Sequence, residues 1–254
     1  MSGRPKSDFG DWELSEVGEE IIMTDLLVFR EQLRKFYSKY ELYLTPIFKF
    51  LLALVTLVMI NSSIGYMSEL KKSVVVLVLA LICSFLPMNF IVFVAAAVTL
   101  GHLYKFSMEC ALVALVVFLL LFILYFRFSS NDAIAVLLTP LCFMLKIPYV
   151  MPIAMGLVGT PFSAVSVAGG TVVYYTVSYM IDNASMLGTF EDDGALEKFR
   201  YIIDGMLGNK AMYVTLAAFA ATLIVVYFIR RLSVDYAWMI AMVTGALLDV
   251  LVML

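Results

Sequence analysis

The stretch that decides the fold is residues 108–127, MECALVALVVFLLLFILYFR, in which Glu109 and the closing Arg127 are the only charges. About 20 mostly apolar residues in a helix cross the hydrocarbon core of a bilayer. The whole chain is 63% hydrophobic and 15% charged, whereas a soluble domain is about 45–50% apolar and about one quarter charged. Lipid must cover the surplus apolar surface, so this stretch indicates a transmembrane helix of a multi-pass membrane protein.

Further apolar runs lie on both sides of this helix. Two more are long enough to cross and one begins near the end of the chain, whereas four are short or interrupted by proline and glycine. The crossing runs are Pro46–Tyr66, Ala211–Ile229 and the beginning of Ala237–Leu254; the short or broken ones are Ser73–Leu86, Asn89–Tyr104, Ala133–Leu145 and Val150–Met180. We predict an all-α polytopic transmembrane helix bundle with about seven crossings plus one short re-entrant or broken segment. The apolar last run has no polar flank, and we therefore expect the chain to be part of a longer protein.

The distribution of Lys and Arg predicts the orientation in the membrane, because cytoplasmic loops are rich in both. Arg127 and the pair Arg230–Arg231 predict one cytoplasmic side, and the acidic segment 182–210 predicts an extracytoplasmic loop. These assignments agree only if one of the apolar segments between Arg127 and residue 182 does not cross the membrane. We expect that segment to be Ser129–Pro148, because its apolar part is short and Pro140 and Pro148 interrupt it.

The N-terminal part is predicted to be a cytoplasmic tail, residues 1–45, ahead of a transmembrane domain, residues 46–254. Residues 1–20 are polar and acidic, and from Ile21 to Leu44 apolar residues recur at spacings of three and four. Basic residues lie between them: Arg30, Arg34, Lys35 and Lys39. A basic amphipathic helix beside a first membrane span is typical of one that lies on anionic cytoplasmic headgroups, and a helix that docks a soluble partner is the alternative. We expect a cytoplasmic N-terminus.

The polar run Ser129–Asp132 opens the short apolar segment and is the first candidate for chemistry. Non-helical chain at membrane depth must be buried in protein or line a cavity, so Ser130, Asn131 and Asp132 are candidates to line a substrate pathway. Helix capping by the same residues is the alternative. The pair Ser130–Asn131 resembles the Ser-Asn-Thr tips of ion-coupled anion transporters, which implies a site at a re-entrant tip.

The run Gly156–Ser163, GLVGTPFS, is the second candidate. Pro161 removes a helical hydrogen bond, and broken helices line the binding sites of many transporters. Thr160 and Ser163 therefore join Ser130, Asn131 and Asp132 as candidate pathway residues, with a proline-kinked packing face as the alternative.

Three other ionisable groups have a structural interpretation. His102, Lys105 and Glu109 are assigned to a polar turn between two spans. Asp249 lies within the last apolar run, where an acid needs a partner if the chain continues and is interfacial if it does not.

Several functional classes lack their signatures. Cys83, Cys110 and Cys142 are isolated, so we expect no metal site and no cofactor. The single histidine and the missing protease motifs predict that the chain is not an enzyme. The chain has no basic domain for nucleic acid.

The stretch Arg230–Trp238, RRLSVDYAW, and the general character of the chain resemble multi-pass proteins of Gram-positive anaerobes, some of them labelled transporter permeases. The resemblance implies a bacterial inner-membrane protein. We expect an integral membrane subunit of a transport or export system, with the bilayer and a cytoplasmic ATPase or other membrane subunits as partners. The alternative is a non-transporting membrane scaffold or assembly factor that recruits partners.

Overall fold

All regular secondary structure is helical in the residues that the computed structural model describes, 11–188, 195–234 and 236–253. The helices are α1 (Asp11–Ser63), α2 (Ser73–Phe85), α3 (Met88–Phe106), α4 (Met108–Phe128), α5 (Ala133–Met144), α6 (Val150–Val158), α7 (Ser163–Asp182), α8 (Ala184–Leu187), α9 (Ala195–Leu207), α10 (Lys210–Ile229) and α11 (Ala237–Met253). The expectation of an all-α fold is confirmed.

Five of the helical segments are long and apolar enough to cross a membrane: Lys39–Ser63, Met88–Phe106, Met108–Phe128, Ser163–Asp182 and Lys210–Ile229. Only 28% of the most apolar window in Met108–Phe128 is buried inside the protein, although this helix is the most hydrophobic of the five. Soluble proteins rarely leave so large an apolar surface in contact with water. α2, α5 and α11 are apolar but shorter.

The chain divides into two compact units, Met1–Phe48 and Lys49–Leu254, near the predicted boundary between residues 45 and 46. In the first unit, α1 begins at Asp11, earlier than the expected start at Ile21. Acidic residues such as Asp11 and Glu13 are favourable in a first helical turn. Among the four predicted surface-binding cations, Lys39 is exposed; the side chains of the other three, Arg30, Arg34 and Lys35, lie outside the described part.

The helices of the second unit run between two ends, which we name after one residue each. At the Arg230 end, α10 terminates beside the end of α6, where Arg230 Nη2 donates to the carbonyl of Gly159 at 3.0 Å. At the opposite Lys210 end, α10 begins. α10 contacts α6, α7 and α11, and α5 packs on α7, so α7 and α10 form the walls against which α5 and α6 lie.

The segment 182–210, expected as a loop, contains the helices α8 and α9, and residues 189–194 between them lie outside the described part. α9 is held by the fully buried Ile202, and Lys198 Nζ lies 3.4 Å from Glu109 Oε2 on α4. Tyr201 donates its phenolic O–H to Asn183 Oδ1 at 3.1 Å. The helical spacing of Phe199, Ile202 and Met206 is the sequence pattern that indicates α9, although the acidic composition of the segment suggested a loop.

Candidate functional site

The helices α5 and α6 form a hairpin that begins and ends at the same end of the bundle. Asp132 immediately precedes α5, and Ser163 is the first residue of α7, just after α6. Ser163 Oγ donates to Asp132 Oδ2 at 2.6 Å. The two ends of the α5–α6 hairpin are therefore adjacent, at the Arg230 end.

Contacts along α7 and α10 place the turn of this hairpin near their middle. α5 runs parallel to α7, since Thr139 lies against Gly170 and the ring of Phe143 stacks on Tyr174 at 4.4 Å. Tyr149, just before α6, has its ring centroid 6.1 Å from that of Phe219, midway along α10.

The sequence explains why the chain turns back after α5. Ile147 N–H donates to the Cys142 carbonyl at 2.8 Å and Lys146 N–H donates to the Phe143 carbonyl at 3.0 Å. These bonds form a Schellman motif, in which the residue that ends the helix is left-handed. Lys146 occupies that position with φ 62°, and Pro148 then opposes any continuation of the helix. We call residues 145–149 the hairpin tip.

A polar cluster fastens the hairpin at the Arg230 end. Ser129 Oγ and Ser163 Oγ both donate to Asp132 Oδ2 at 2.6 Å. The backbone N–H of Thr160 donates to Ser163 Oγ at 3.0 Å. The cluster links the chain break before α5 to the break after α6.

Three of the five predicted pathway residues lie close together in the structure. Asp132, Thr160 and Ser163 are brought together, and Ser129 joins them. Ser130 contributes its backbone carbonyl, which accepts from the Tyr125 O–H at 2.9 Å, while Asn131 and Thr160 are exposed. In this structure Asp132 and Ser163 join the two ends of the hairpin through a hydrogen bond.

A cavity of about 320 Å³, which we call the vestibule, lies between the hairpin tip and the Lys210 end. Its lining consists of Phe143, Pro148, Tyr149, Tyr175, Lys210, Ala211, Val214, Thr215 and Val252. Tyr175 Oη and Thr215 Oγ1 lie 3.0 Å apart, and Thr215 donates to the Ala211 carbonyl at 2.8 Å, so Tyr175 is the donor of this pair. The vestibule thus reaches from an exposed lysine at the bundle end to the tip.

Sequence reasoning missed the vestibule residues. Tyr149, Tyr175 and Thr215 lie in predominantly apolar segments, where a tyrosine can equally serve helix packing, with its O–H bonded to a neighbour. These residues come together because the hairpin turns back, which places Tyr149 and Thr215 beside the same cavity. In the sequence, the Pro148 break is the one feature that points to this region. By itself it indicates only that the segment does not cross the membrane.

A second, apolar cavity of about 460 Å³ lies beside the hairpin, between α1, α3, α4, α5 and α7. Phe118, Phe122, Val136 and Val173 are among its lining residues. Ser166, also in the lining, is 1% exposed, and its hydroxyl has no hydrogen-bond partner among the described residues. We call this cavity the lateral groove.

Within the described residues, no group of three or more His, Cys, Asp or Glu side chains is close enough to hold a metal ion. No family model, no curated protein and no solved structure matches the chain.

Proposed function

We propose that the chain is a membrane-embedded transport protein, permease-like, in which the α5–α6 hairpin is re-entrant and its tip forms the floor of an outward-facing vestibule. The observation that carries this proposal is that the hairpin returns to the Arg230 end, while its tip lies beside the middle of α7 and α10. A re-entrant tip shortens the path that a solute must cross. Non-helical chain at membrane depth is tolerated where it lines a cavity, and the tip adjoins one.

The membrane topology that follows has seven crossings: α1, α2, α3, α4, α7, α10 and α11. Arg127, Arg230 and Arg231 then lie on the cytoplasmic side, as their charge favours, together with the N-terminus. Segment 182–210 lies outside. A cytoplasmic ATPase or a second membrane subunit would meet the Arg230 end, where the polar cluster fastens the hairpin.

The experiment is cysteine accessibility at the tip. Tyr149→Cys is introduced after Cys83, Cys110 and Cys142 are replaced by serine, and intact cells are treated with a membrane-impermeant thiol reagent. We expect modification from outside, because Tyr149 lines the vestibule and is 41% exposed.

The matched control is Ile123→Cys, which is 67% exposed on α4 and faces lipid in our topology; it should stay unmodified. Met186→Cys, 54% exposed on α8, is the outer positive control. If Tyr149→Cys is as unreactive as Ile123→Cys while Met186→Cys reacts, the vestibule is closed to water and the transport proposal fails.

The scaffold alternative is favoured by one observation on α9. Leu196, Ile203 and Leu207 share one helix face and are 76%, 44% and 63% exposed. An apolar stripe on an amphipathic helix outside the long spans fits a partner helix or the headgroup region. The same labelling experiment separates the two functions, because a scaffold does not require a water-filled vestibule.

A further inference from the structure

Asp249 is a buried acid in the last third of the otherwise uncharged helix α11. Its side chain is 2% exposed. Oδ1 accepts a hydrogen bond from Thr222 Oγ1 on α10 at 2.7 Å. Oδ2 is buried and has no hydrogen-bond partner among the described residues. Oδ2 therefore loses its contact with water on burial and gains no hydrogen bond from the described residues in return.

The helices packed against α11 supply no counter-charge. α11 packs mainly on α10 and α6, and their titratable side chains are Lys210, Tyr213 and Tyr227, all on α10. Tyr213 and Tyr227 are nine and five positions from Thr222, about 180° and 140° around the helix. Lys210 is three turns away. An ionised carboxylate without a partner is far more costly in an apolar interior than a neutral carboxyl group, so this packing favours the protonated form.

The carboxyl group lies one helical turn below the vestibule. Val252, three positions further along α11, lines that cavity, and residues three apart share a helix face. Thr222 is likewise one turn from Phe219, which contacts Tyr149 at the hairpin tip. A small rearrangement of α11 against α10 therefore connects Asp249 to the water that the proposed function places in the vestibule.

The chemistry of the surroundings selects a proton over a metal cation. A hard cation requires several oxygen ligands, whereas within the described part of the chain the Thr222 hydroxyl is the one hydrogen-bond partner recorded for Asp249. At Gly245, one turn towards the start of α11, a Cβ atom would meet carbon atoms of Val226 and Ile153, the nearer at 2.6 Å. A single carboxyl oxygen among apolar side chains can bind a proton and little else.

We propose that Asp249 is a proton-binding site whose protonation is coupled to a widening of the vestibule, with H⁺ as the coupling ion; the coupling rests on the transport function proposed above. In the arrangement described here the carboxyl group is protonated. When α11 moves and water reaches it, the proton leaves to the vestibule and the carboxylate is hydrated.

The first test is labelling of the full chain in native-lipid nanodiscs with dicyclohexylcarbodiimide, which is membrane-soluble and adds to protonated carboxyl groups. Mass spectrometry should locate the adduct at Asp249, and its yield should fall about tenfold per pH unit above the midpoint of a one-proton titration. A water-soluble carbodiimide should instead label Asp182, which is exposed. Absence of the Asp249 adduct at every pH, or a yield independent of pH, overturns the proposal.

Two variants supply independent checks. Thr222→Val removes the donor that stabilises the ionised carboxylate, so labelling of Asp249 should persist to higher pH.

In the Tyr149→Cys background, the rate of thiol modification relative to Met186→Cys should depend on pH, and Asp249→Asn should abolish that dependence. If Asp249→Asn retains it, the coupling is wrong. If Tyr149→Cys never reacts but Asp249 labelling titrates, the transport proposal fails and the proton site stands.

Discussion

The imidazole of His102 makes hydrogen bonds to two other segments of the chain. His102 lies in the last part of α3 and is 0% exposed, not in the polar turn that its sequence context predicts. The backbone N–H of Met67 donates to Nδ1 at 3.1 Å, so Nε2 carries the proton and donates to Asn61 Oδ1 at 2.6 Å. Asn61 Nδ2 donates in turn to the Leu70 carbonyl at 3.0 Å. The imidazole therefore fixes the connection between α1 and α2.

We predict that His102→Leu destabilises the protein by roughly 2–4 kcal/mol, because it leaves two buried polar partners unsatisfied. The measurement is thermal or denaturant unfolding of the purified full chain in detergent. Lys105→Ala, exposed on the same helix end, should change stability by less than about 0.5 kcal/mol. If the two substitutions changed the stability equally, the hydrogen bonds of the imidazole would contribute nothing to the free energy of unfolding.

At the scale of elements, the hairpin depends on a close approach between α5 and α7. Pro140 removes one hydrogen bond inside α5, which leaves the Val136 carbonyl without its helical donor. Gly170 on α7 lies against this place: a Cβ atom there would be 2.6 Å from Thr139 Cβ and 3.1 Å from the Val136 oxygen. The absence of a side chain at Gly170 thus sets the distance between the two helices.

We predict that Gly170→Ala destabilises the fold by about 1–3 kcal/mol through overpacking and alters modification of Tyr149→Cys. The neighbouring Gly169→Ala is the matched control, because its Cβ atom would meet only Leu121 Cδ2, at an ordinary 3.9 Å. That substitution should be neutral or stabilise by about 0.5–1 kcal/mol through helix propensity. The measurement is the free energy of unfolding of both variants in the same detergent. A Gly170→Ala protein as stable as Gly169→Ala would contradict the close packing of α5 against α7.

At the scale of the whole molecule, the orientation can be tested separately from transport. In the cysteine-free background, Ser185→Cys on α8 should react with an impermeant reagent on intact cells, since segment 182–210 is placed outside. Leu232→Cys, 58% exposed beside Arg230–Arg231, should react only after permeabilisation. The reverse pattern would invert the topology and place the vestibule on the cytoplasmic side.

The sequence was sufficient for the class of fold because length and hydropathy act locally: Met108–Phe126 predicts a span whatever its neighbours are. It also located the breaks at Pro148 and Pro161, which are local effects on backbone geometry, whereas α5 continues through Pro140 instead of being interrupted there. The vestibule and the His102 network were not predictable from one sequence. Their members lie tens of positions apart, and hydropathy patterns contain no information about which helices become neighbours.

The α5–α6 hairpin has a consequence for biosynthesis. The surfaces that bury it, α7 and α10, follow it in the chain, so it leaves the ribosome before either exists. The 71 residues from Gly159 to Ile229 take roughly 4–14 s to synthesise at about 5–20 residues per second. Ser163 follows Gly159 by only four residues and reaches Asp132 early, but Arg230 is not available to the Gly159 carbonyl until α10 has been made. We therefore expect the hairpin to reach its packed position only after α10 has been synthesised.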